Sequence, residues 1–142
     1  MDKALSHHRP VMIEEVLSGL QAQDEGLYVD CTVGEGGHSL AIIEGTDPKS
    51  RLLGIDADPE AIEAAQRRLF KHSDRVVLVN TNFSQLSETV LTHHNHHAQG
   101  ILLDLGLSSL QLDGELRGFS FQTDSPLDMR FDPKQNLTAA QI

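Results

Sequence analysis

A glycine turn flanked by polar side chains is the part of the sequence best suited to bind a ligand. It occupies residues 30–38, which read DCTVGEGGH. The apolar residues 27–29 before it are typical of a buried strand, and the aliphatic residues 40–43 after it are typical of a helix. Glycine permits positive φ and lets a ligand approach the backbone at such a turn. We therefore predict a ligand-binding elbow, with Asp30 at the carboxyl end of its strand.

A second acidic residue indicates which ligand the elbow binds. Asp56 follows the apolar residues 52–55 and lies 22 residues after Gly34. At this separation an acidic side chain in Rossmann-like sites accepts hydrogen bonds from the ribose hydroxyls of an adenosine. Nicotinamide-dependent dehydrogenases and S-adenosylmethionine-dependent methyltransferases share the pattern, and Ser39 replaces the third glycine of the dinucleotide fingerprint. A solvated strand-end carboxylate and an ordinary tight turn are the structural alternatives.

Four short apolar runs must position these residues. They cover residues 27–31, 52–55, 76–79 and 101–105, and they alternate with segments of helical pattern. This alternation predicts βαβ units and a parallel sheet. The carboxyl ends of parallel strands meet at one edge, so Asp30, Asp56 and Asp104 are expected to converge there.

Three segments have the pattern of amphipathic helices. The first covers residues 10–20, with Pro10 at a first helical position. In the second, Asp58 caps the N-terminus and Pro59 occupies the first position. The third covers residues 84–91. The predicted buried stripes are Ile13, Val16, Leu17 and Leu20 in the first helix and Ile62, Ala65 and Leu69 in the second.

Composition limits the class of protein. The 142 residues are 39% hydrophobic without a long apolar run, which predicts one modest cytoplasmic domain rather than a membrane span or a secreted precursor. The single cysteine, Cys31, excludes an intramolecular disulfide and is interpreted as a small buried hydrophobe. A net charge of −10 repels a phosphate backbone, so this segment alone is expected to bind nucleic acid poorly. The histidine-rich residues 93–97 are interpreted as a solvated connection rather than a metal site.

The last third of the chain changes character. From residue 107 to 133 the periodicity is lost, which is typical of functional or disordered loops. Thr138 and Gln141 have the spacing of a capping box, and Leu137 and Ile142 that of a hydrophobic staple. We therefore expect a helix to begin near Thr138, in a domain that the sequence leaves unfinished.

Five motifs in this order resemble the bacterial RsmH (MraW) family. They are DCTVGEGGHS, GIDADPEAI, LLDLGLSSLQLD, RGFSF and SPLDMRFDP, and the resemblance runs almost continuously from residue 8 to 142. The family uses S-adenosylmethionine to methylate the N4 of a cytidine in small-subunit (16S) ribosomal RNA. The resemblance implies an α/β, class I (Rossmann-like) methyltransferase fold with a parallel sheet, truncated here after about four strands. Residues 1–106 would form the cofactor-binding part, and residues 107–142 the active-site loop and the start of an incomplete helical region.

The resemblance also implies roles for particular residues. Asp56 would bind the ribose, Phe83 would lie near the adenine, and Asp104 and Gln111 would close the site. Asp104 is a hypothetical orienting group or base, although DLGL stands where many amino methyltransferases have Asp/Asn-Pro-Pro-aromatic. Arg117, Phe119, Asp128 and Arg130 are active-site or RNA-facing candidates, and Arg130 could pair with a phosphate or with Asp128. The predicted cofactor-binding set is Asp30, Gly34, Gly36, Gly37, His38, Asp56, Phe83, Asp104 and Gln111, and the predicted catalytic set is Asp104, Asp128 and Arg130, without a metal.

Two other functions are compatible with parts of the sequence. The chain could be a catalytically inactive fragment that binds S-adenosylmethionine, because class I methyltransferase sheets normally have seven strands. A nicotinamide-dependent oxidoreductase shares the elbow and Asp56 but leaves the DLGLSSLQLD motif unexplained. Contact with ribosomal RNA would come from the absent C-terminal part. In the family strand order 3-2-1-4-5-7-6 the fourth strand would become an unpaired edge that invites self-association.

Overall fold

The computed structural model describes residues 10–22, 24–94, 97–108, 111–112, 117–122 and 124–142. Within them a four-stranded sheet has the order β3-β2-β1-β4, and every strand pair is parallel. This confirms the predicted α/β fold with a parallel sheet. The strands are β1 Leu27–Asp30, β2 Arg51–Asp56, β3 Val76–Asn80 and β4 Ala98–Leu102.

In the described ranges, four α-helices with complete bounds connect and flank the strands. They are α1 Ile13–Gly19, α2 Gly37–Gly45, α3 Pro59–Arg68 and α4 Leu86–His93. Single 3-10 turns lie at Phe70–His72, Phe83–Gln85 and Ala139–Gln141. Among the helices of the described ranges, none combines the length and apolar character needed to cross a bilayer.

Both faces of the sheet are covered, which explains the continuous apolar runs of its central strands. On one face Tyr28 and Leu52 pack with residues of α2 and α3. On the other face Val29 and Leu53 pack with Leu86 and Val90 of α4. Successive residues of β1 and β2 therefore pack on opposite faces of the sheet. This packing fixes the position of the strand ends.

Helix α3 forms as its sequence predicts. Asp58 has an extended backbone, and its Oδ1 accepts a hydrogen bond from the N–H of Glu60 at 3.0 Å. Pro59 follows as the first helical residue. The predicted stripe of Ile62, Ala65 and Leu69 is buried. The cap, the proline and the apolar spacing all act locally, so this helix is readable from the sequence.

The first helix begins later than predicted. Met12 adopts φ 54° and ψ 38°, a left-handed conformation that cannot continue a right-handed helix, so α1 starts at Ile13. Pro10 instead lies against Gly37, where a Cβ would come within 2.4 Å of its Cγ. The predicted stripe is confirmed, because its members are the half-buried residues of this segment: Ile13, Val16, Leu17 and Leu20.

The fourth strand and the fourth helix also differ from the prediction. β4 pairs with β1 from Ala98 to Leu102 and ends there because β1 itself ends at Asp30. Asp104 therefore follows the strand rather than lying in it. Asn82 caps a 3-10 turn that contains Ser84, and this turn delays the start of α4 to Leu86.

At the end of the chain, the predicted capping box forms but the predicted staple does not. The capping box between Thr138 and Gln141 is present, but it begins a single 3-10 turn. Ile142 is 95% exposed, so the predicted staple with Leu137 is wrong, because one turn gives Ile142 no surface to pack on. Predictions that involve His8, His96, Ser109, Leu110 and Asp113 lie outside the described residues.

Candidate functional site

A cavity of about 850 Å³ lies at the carboxyl ends of the strands. The segments after all four strands contribute to its wall, and residues 128–131 contribute from the last third of the chain. Most of the predicted site residues are brought together here. Those that line the cavity are Gly34, Gly37, His38, Asp56, Phe83, Asp104, Gln111, Asp128 and Arg130.

The glycine turn needs glycine at two positions. Gly34 has φ 50° and Gly36 has φ 80°, where a side chain is strained. A Cβ on Gly36 would also meet the Cα of Ala65 in α3 at 3.3 Å. Gly36 is therefore the point where α2 begins close against α3, and it lies behind the cavity lining rather than in it.

Asp30 is buried beneath the turn rather than exposed to the cavity. Its carboxylate accepts hydrogen bonds from the Ser39 hydroxyl at 2.7 Å and from the N–H of Thr32 at 3.1 Å. Burial raises the pKa of Asp30, although these two hydrogen bonds act in the opposite direction. Asp30 and Ser39 thus tie the end of β1 to α2.

Asp56 faces the same turn from the end of β2. Its Oδ2 accepts a hydrogen bond from the N–H of Gly34 and its Oδ1 accepts one from the N–H of Asp58, both at 2.9 Å. Burial raises its pKa, and the neighbouring charge of Asp58 adds to this shift. A carboxylate offers about four acceptor positions. Asp56 therefore retains acceptor capacity for ligand hydroxyl groups while it holds the turn.

Asp104 and His38 form the opposite side of the site. The N–H of Asp104 donates to the Thr32 hydroxyl at 2.8 Å, which fixes the segment after β4 against the segment after β1. The Asp104 side chain is 52% exposed, and its Oδ2 lies 3.6 Å from the Nδ1 of His38. The other ring nitrogen of His38 lies 2.8 Å from the carbonyl oxygen of Val11. Thr32 was not among the predicted site residues, because only the fold brings it to Asp104.

Phe83 presents an aromatic surface after β3. It begins the 3-10 turn that Asn82 caps, and it is 42% exposed on the cavity wall. Its partial exposure distinguishes it from an ordinary core phenylalanine. A planar ring could pack against it.

Gln111 closes the cavity from the last third of the chain. It is buried, its Oε1 accepts a hydrogen bond from the N–H of Ser108 at 3.0 Å, and its Nε2 donates to Asp58 Oδ2 at 3.2 Å. Arg117 also reaches Asp58, at 2.8 and 3.2 Å. Sequence reasoning identified Asp58 only as a helix cap. Its contact with Arg117 spans 59 positions and has no local sequence signal.

Asp128 and Arg130 form a bidentate pair. Nε and Nη2 of Arg130 donate to the two carboxylate oxygens at 2.7 and 2.6 Å. Hydrogen bonds from Arg130 lower the pKa of Asp128 from 3.8 to about 2. Nη1 of Arg130 donates to the carbonyl oxygens of Pro133 and Gln135. In this structure Arg130 therefore pairs with Asp128, which was one of its two predicted partners.

Two other candidates lie inside the protein. Phe119 is 7% exposed and packs on Phe131 with ring centroids 5.5 Å apart. Cys31 is 2% exposed, so the interpretation as a small buried hydrophobe is confirmed, and burial raises its pKa to about 11. In the part of the chain that the structure describes, no cluster of three potential metal ligands occurs.

The residues of the cavity fit an adenosine-containing cofactor such as S-adenosylmethionine. The volume lies within the range of about 300–1,000 Å³ that is typical of small-molecule sites. Asp56 offers free acceptor positions, Phe83 offers an exposed ring, and the glycine turn leaves backbone accessible.

Comparison with known proteins agrees with this arrangement. A family model described as the MraW methylase family matches residues 5–142. Proteins named ribosomal RNA small subunit methyltransferase H are similar in sequence. The one from Dehalococcoides mccartyi (strain BAV1) is 54% identical over 135 residues, which are 95% of this chain and 39% of the relative. Those from Heliobacterium mobile and Thermotoga neapolitana are 51% and 44% identical, and the match covers 96% and 100% of this chain and 44% and 47% of the relatives.

Solved structures share the fold. A candidate rRNA methylase from Clostridium thermocellum superposes with a TM-score of 0.57 at 18% identity, covering 67% of this chain and 50% of that protein. An rRNA methylase from Streptococcus thermophilus gives 0.50 at 20% identity, covering 66% and 50%. The chain spans less than half the length of the sequence relatives named above. The family match extends over nearly the whole chain, which therefore belongs to the MraW methylase family.

Proposed function

We propose that this chain forms the S-adenosylmethionine-binding part of a methyltransferase that modifies the exocyclic N4 of a cytidine in small-subunit (16S) ribosomal RNA. The observation that carries the proposal is the position of Asp56. Its carboxylate lines the cavity, holds the glycine turn through Gly34, and keeps acceptor capacity for ribose hydroxyls. Family membership supports the methyl donor over a nicotinamide cofactor.

The cavity residues divide the binding of the cofactor between them. Asp56 accepts hydrogen bonds from the ribose, and the exposed ring of Phe83 packs against the adenine. Gln111 retains one amide hydrogen and one carbonyl lone pair beyond its contacts with Asp58 and Ser108. Gly34, Gly37 and His38 form the wall beside them, and Asp30 and Gly36 support that wall from behind. When bound, S-adenosylmethionine supplies an activated methyl group on a positively charged sulfur.

Asp104 is placed to act on the nucleotide. S-adenosylmethionine, held by Asp56 and Phe83, would supply its methyl group to the N4 of the cytidine. The amine then loses a proton. We assign to Asp104, whose carboxylate is half exposed at the cavity, the role of orienting the amine or accepting this proton. His38 Nδ1 lies 3.6 Å from this carboxylate.

Asp128 and Arg130 act in this proposal by shaping the cavity. Nε, Nη1 and Nη2 of Arg130 all donate within the segment from Asp128 to Gln135. A phosphate would have to compete with these bonds. The pair orders this part of the cavity wall, and an RNA phosphate is the second candidate partner of Arg130.

Binding of the RNA requires surface beyond these 142 residues. The chain carries a net charge of −10, and its relatives are more than twice as long as the part that it matches. We propose that the 142 residues alone bind the cofactor in the cytoplasm without transferring its methyl group.

A chimera tests the proposed function. The chain is joined at Ile142 to the remaining part of the Heliobacterium mobile relative and incubated with tritiated S-adenosylmethionine and small ribosomal subunits. We expect labelled N4-methylcytidine after nuclease digestion, and none from the 142 residues alone. The same chimera with Asp56→Ala is the matched control and is expected to be inactive. Label in another nucleotide, or no label while the intact Heliobacterium mobile protein is active in parallel, would contradict the proposal.

A further inference from the structure

Asp58 joins two parts of the molecule that are distant in sequence. It is fully buried at the start of α3, two residues after the proposed ribose-binding Asp56. Its Oδ1 accepts from the N–H of Glu60 and from Arg117 Nη2 at 3.0 and 3.2 Å. Its Oδ2 accepts from Gln111 Nε2 and Arg117 Nη1 at 3.2 and 2.8 Å. One carboxylate thus caps a helix and anchors the segment that follows β4.

Arg117 extends this link to the far wall of the cavity. Its Nη1 also donates to the carbonyl oxygen of Phe131 at 3.3 Å, and its own carbonyl oxygen accepts from the N–H of Met129 at 2.8 Å. Met129 and Phe131 line the cavity, whereas Arg117 does not. The Arg117 side chain is only 16% exposed. It is therefore placed to act on the site through its neighbours, not by touching a ligand.

We propose that Asp58 and Arg117 are positioning residues of the cofactor site. They fix the Gln111 amide and the Met129–Phe131 wall at the distance from Asp56 that the cofactor requires. The inference rests on the proposed binding of S-adenosylmethionine. A bidentate, buried arginine–carboxylate pair suits this role because its two parallel hydrogen bonds define both distance and direction.

Conservative substitutions of Asp58 and Arg117 distinguish a positioning role from a general contribution to the stability of the fold. Asn serves as a helix cap about as well as Asp, so Asp58→Asn keeps α3 but removes the charge that binds Arg117. Arg117→Met keeps much of the apolar stem, and Arg117→Lys restores a charge without the bidentate geometry. Glu60→Gln is the matched control, since Glu60 contacts Arg117 at 2.8 Å but is 64% exposed.

The experiment is calorimetric titration of the 142-residue chain and its variants with S-adenosylmethionine, with urea unfolding of each variant in parallel. Arg117→Met, Asp58→Asn and Gln111→Ala are each expected to weaken binding about tenfold or more, and Glu60→Gln less than about threefold. Arg117→Lys should recover part of the loss. The double variant Arg117→Met/Gln111→Ala should lose less affinity than the product of the two single losses, because Arg117 and Gln111 share Asp58 as a partner.

The outcomes distinguish this inference from the proposed function. If Asp58→Asn and Arg117→Met bind S-adenosylmethionine as tightly as the unmodified chain does, the positioning role is contradicted. The proposal that the cavity binds the cofactor is then still supported. Losses that multiply in the double variant would likewise show that Arg117 does not act through Gln111. If the unmodified chain binds no S-adenosylmethionine, both proposals are overturned. A variant whose urea midpoint falls sharply is judged by Arg117→Lys. If its binding recovers in full together with the midpoint, the loss was one of stability and positioning is contradicted, whereas binding that stays weak at a restored midpoint supports positioning.

Discussion

Asp56 holds the backbone of the site and lines the cavity with the same carboxylate. Its two oxygens accept from the N–H groups of Gly34 and Asp58, which brings the glycine turn and the start of α3 to one point. Burial raises its pKa, so the folded protein disfavours its charged form. Ligand hydroxyls that donate to it would offset this cost, so substitution of Asp56 is expected to weaken ligand binding.

Two substitutions of Asp56 should therefore weaken S-adenosylmethionine binding to different degrees, because one keeps an acceptor oxygen and the other removes both. Asp56→Asn keeps one carbonyl acceptor and is expected to weaken S-adenosylmethionine binding about tenfold, whereas Asp56→Ala should weaken it about a hundredfold. Isothermal titration measures both. Asp74→Asn is the charge-matched control, because Asp74 is exposed before β3 at the opposite edge of the sheet. If Asp56→Ala and Asp74→Asn bind S-adenosylmethionine with equal affinity, Asp56 does not contribute to the binding site.

The pair of Asp128 and Arg130 should respond to acid. Hydrogen bonds from Arg130 lower the pKa of Asp128 from 3.8 to about 2, so the folded state favours the charged carboxylate. The stability that this provides is present above pH 3.8 and is lost as pH falls through about 2. Urea unfolding should find Asp128→Asn less stable than the unmodified chain at neutral pH, and the deficit should disappear near pH 2. A deficit that does not change over this range would contradict the assignment.

At the level of elements, Gly118 allows the backbone near Arg117 to pack closely on residues 126–128. Gly118 has φ 71°, and a Cβ there would lie 2.4 Å from the carbonyl oxygen of Pro126. Gly118→Ala should destabilise the protein by about 2 kcal/mol or more, because left-handed strain and a backbone clash act together. Gly106→Ala is the control, since a Cβ there meets nothing within 4 Å. Urea unfolding compares the two, and equal midpoints would show that the 117–131 segment is not held as described.

The exposed edge of β4 should be visible in solution. Within the described residues β4 pairs only with β1, and Ile101 is 45% exposed. We expect concentration-dependent self-association that Ile101→Lys reduces, since charged side chains block edge pairing. Sedimentation velocity measures this, with Leu91→Lys on α4 as a control at an exposed apolar residue. Pairing through this edge would be contradicted if the chain is monomeric at all concentrations, or if both variants reduce self-association equally.

Elements with local signals were predictable from the sequence, whereas those set by distant contacts were not. The Asp58 cap and the apolar stripe identify α3 directly. The start of α1 depends on the left-handed backbone of Met12, for which a methionine gives no signal. The first half of β4, Ala98 to Gly100, lacks an apolar run, because the strand alternates between half-buried and exposed positions. Its pairing with β1 determines its limits.

At the scale of the whole molecule, the same distinction applies to the site. Residues that follow strands were predictable, because a parallel sheet gathers its carboxyl ends at one edge, and Asp56, Phe83 and Asp104 all line the cavity. The contacts of Asp58 with Gln111 and Arg117 were not, since they span 53 and 59 positions. These contacts attach the segment after β4 to the sheet and complete a cavity that the sheet edge alone leaves open.

We propose that this cavity binds a methyl donor rather than a nicotinamide cofactor. Calorimetric titration of the 142-residue chain with S-adenosylmethionine and, separately, with NAD tests it directly. The structure and the family membership predict saturable binding of S-adenosylmethionine at one site per chain, and no heat of binding with NAD. Tight binding of NAD without a response to S-adenosylmethionine would contradict the account.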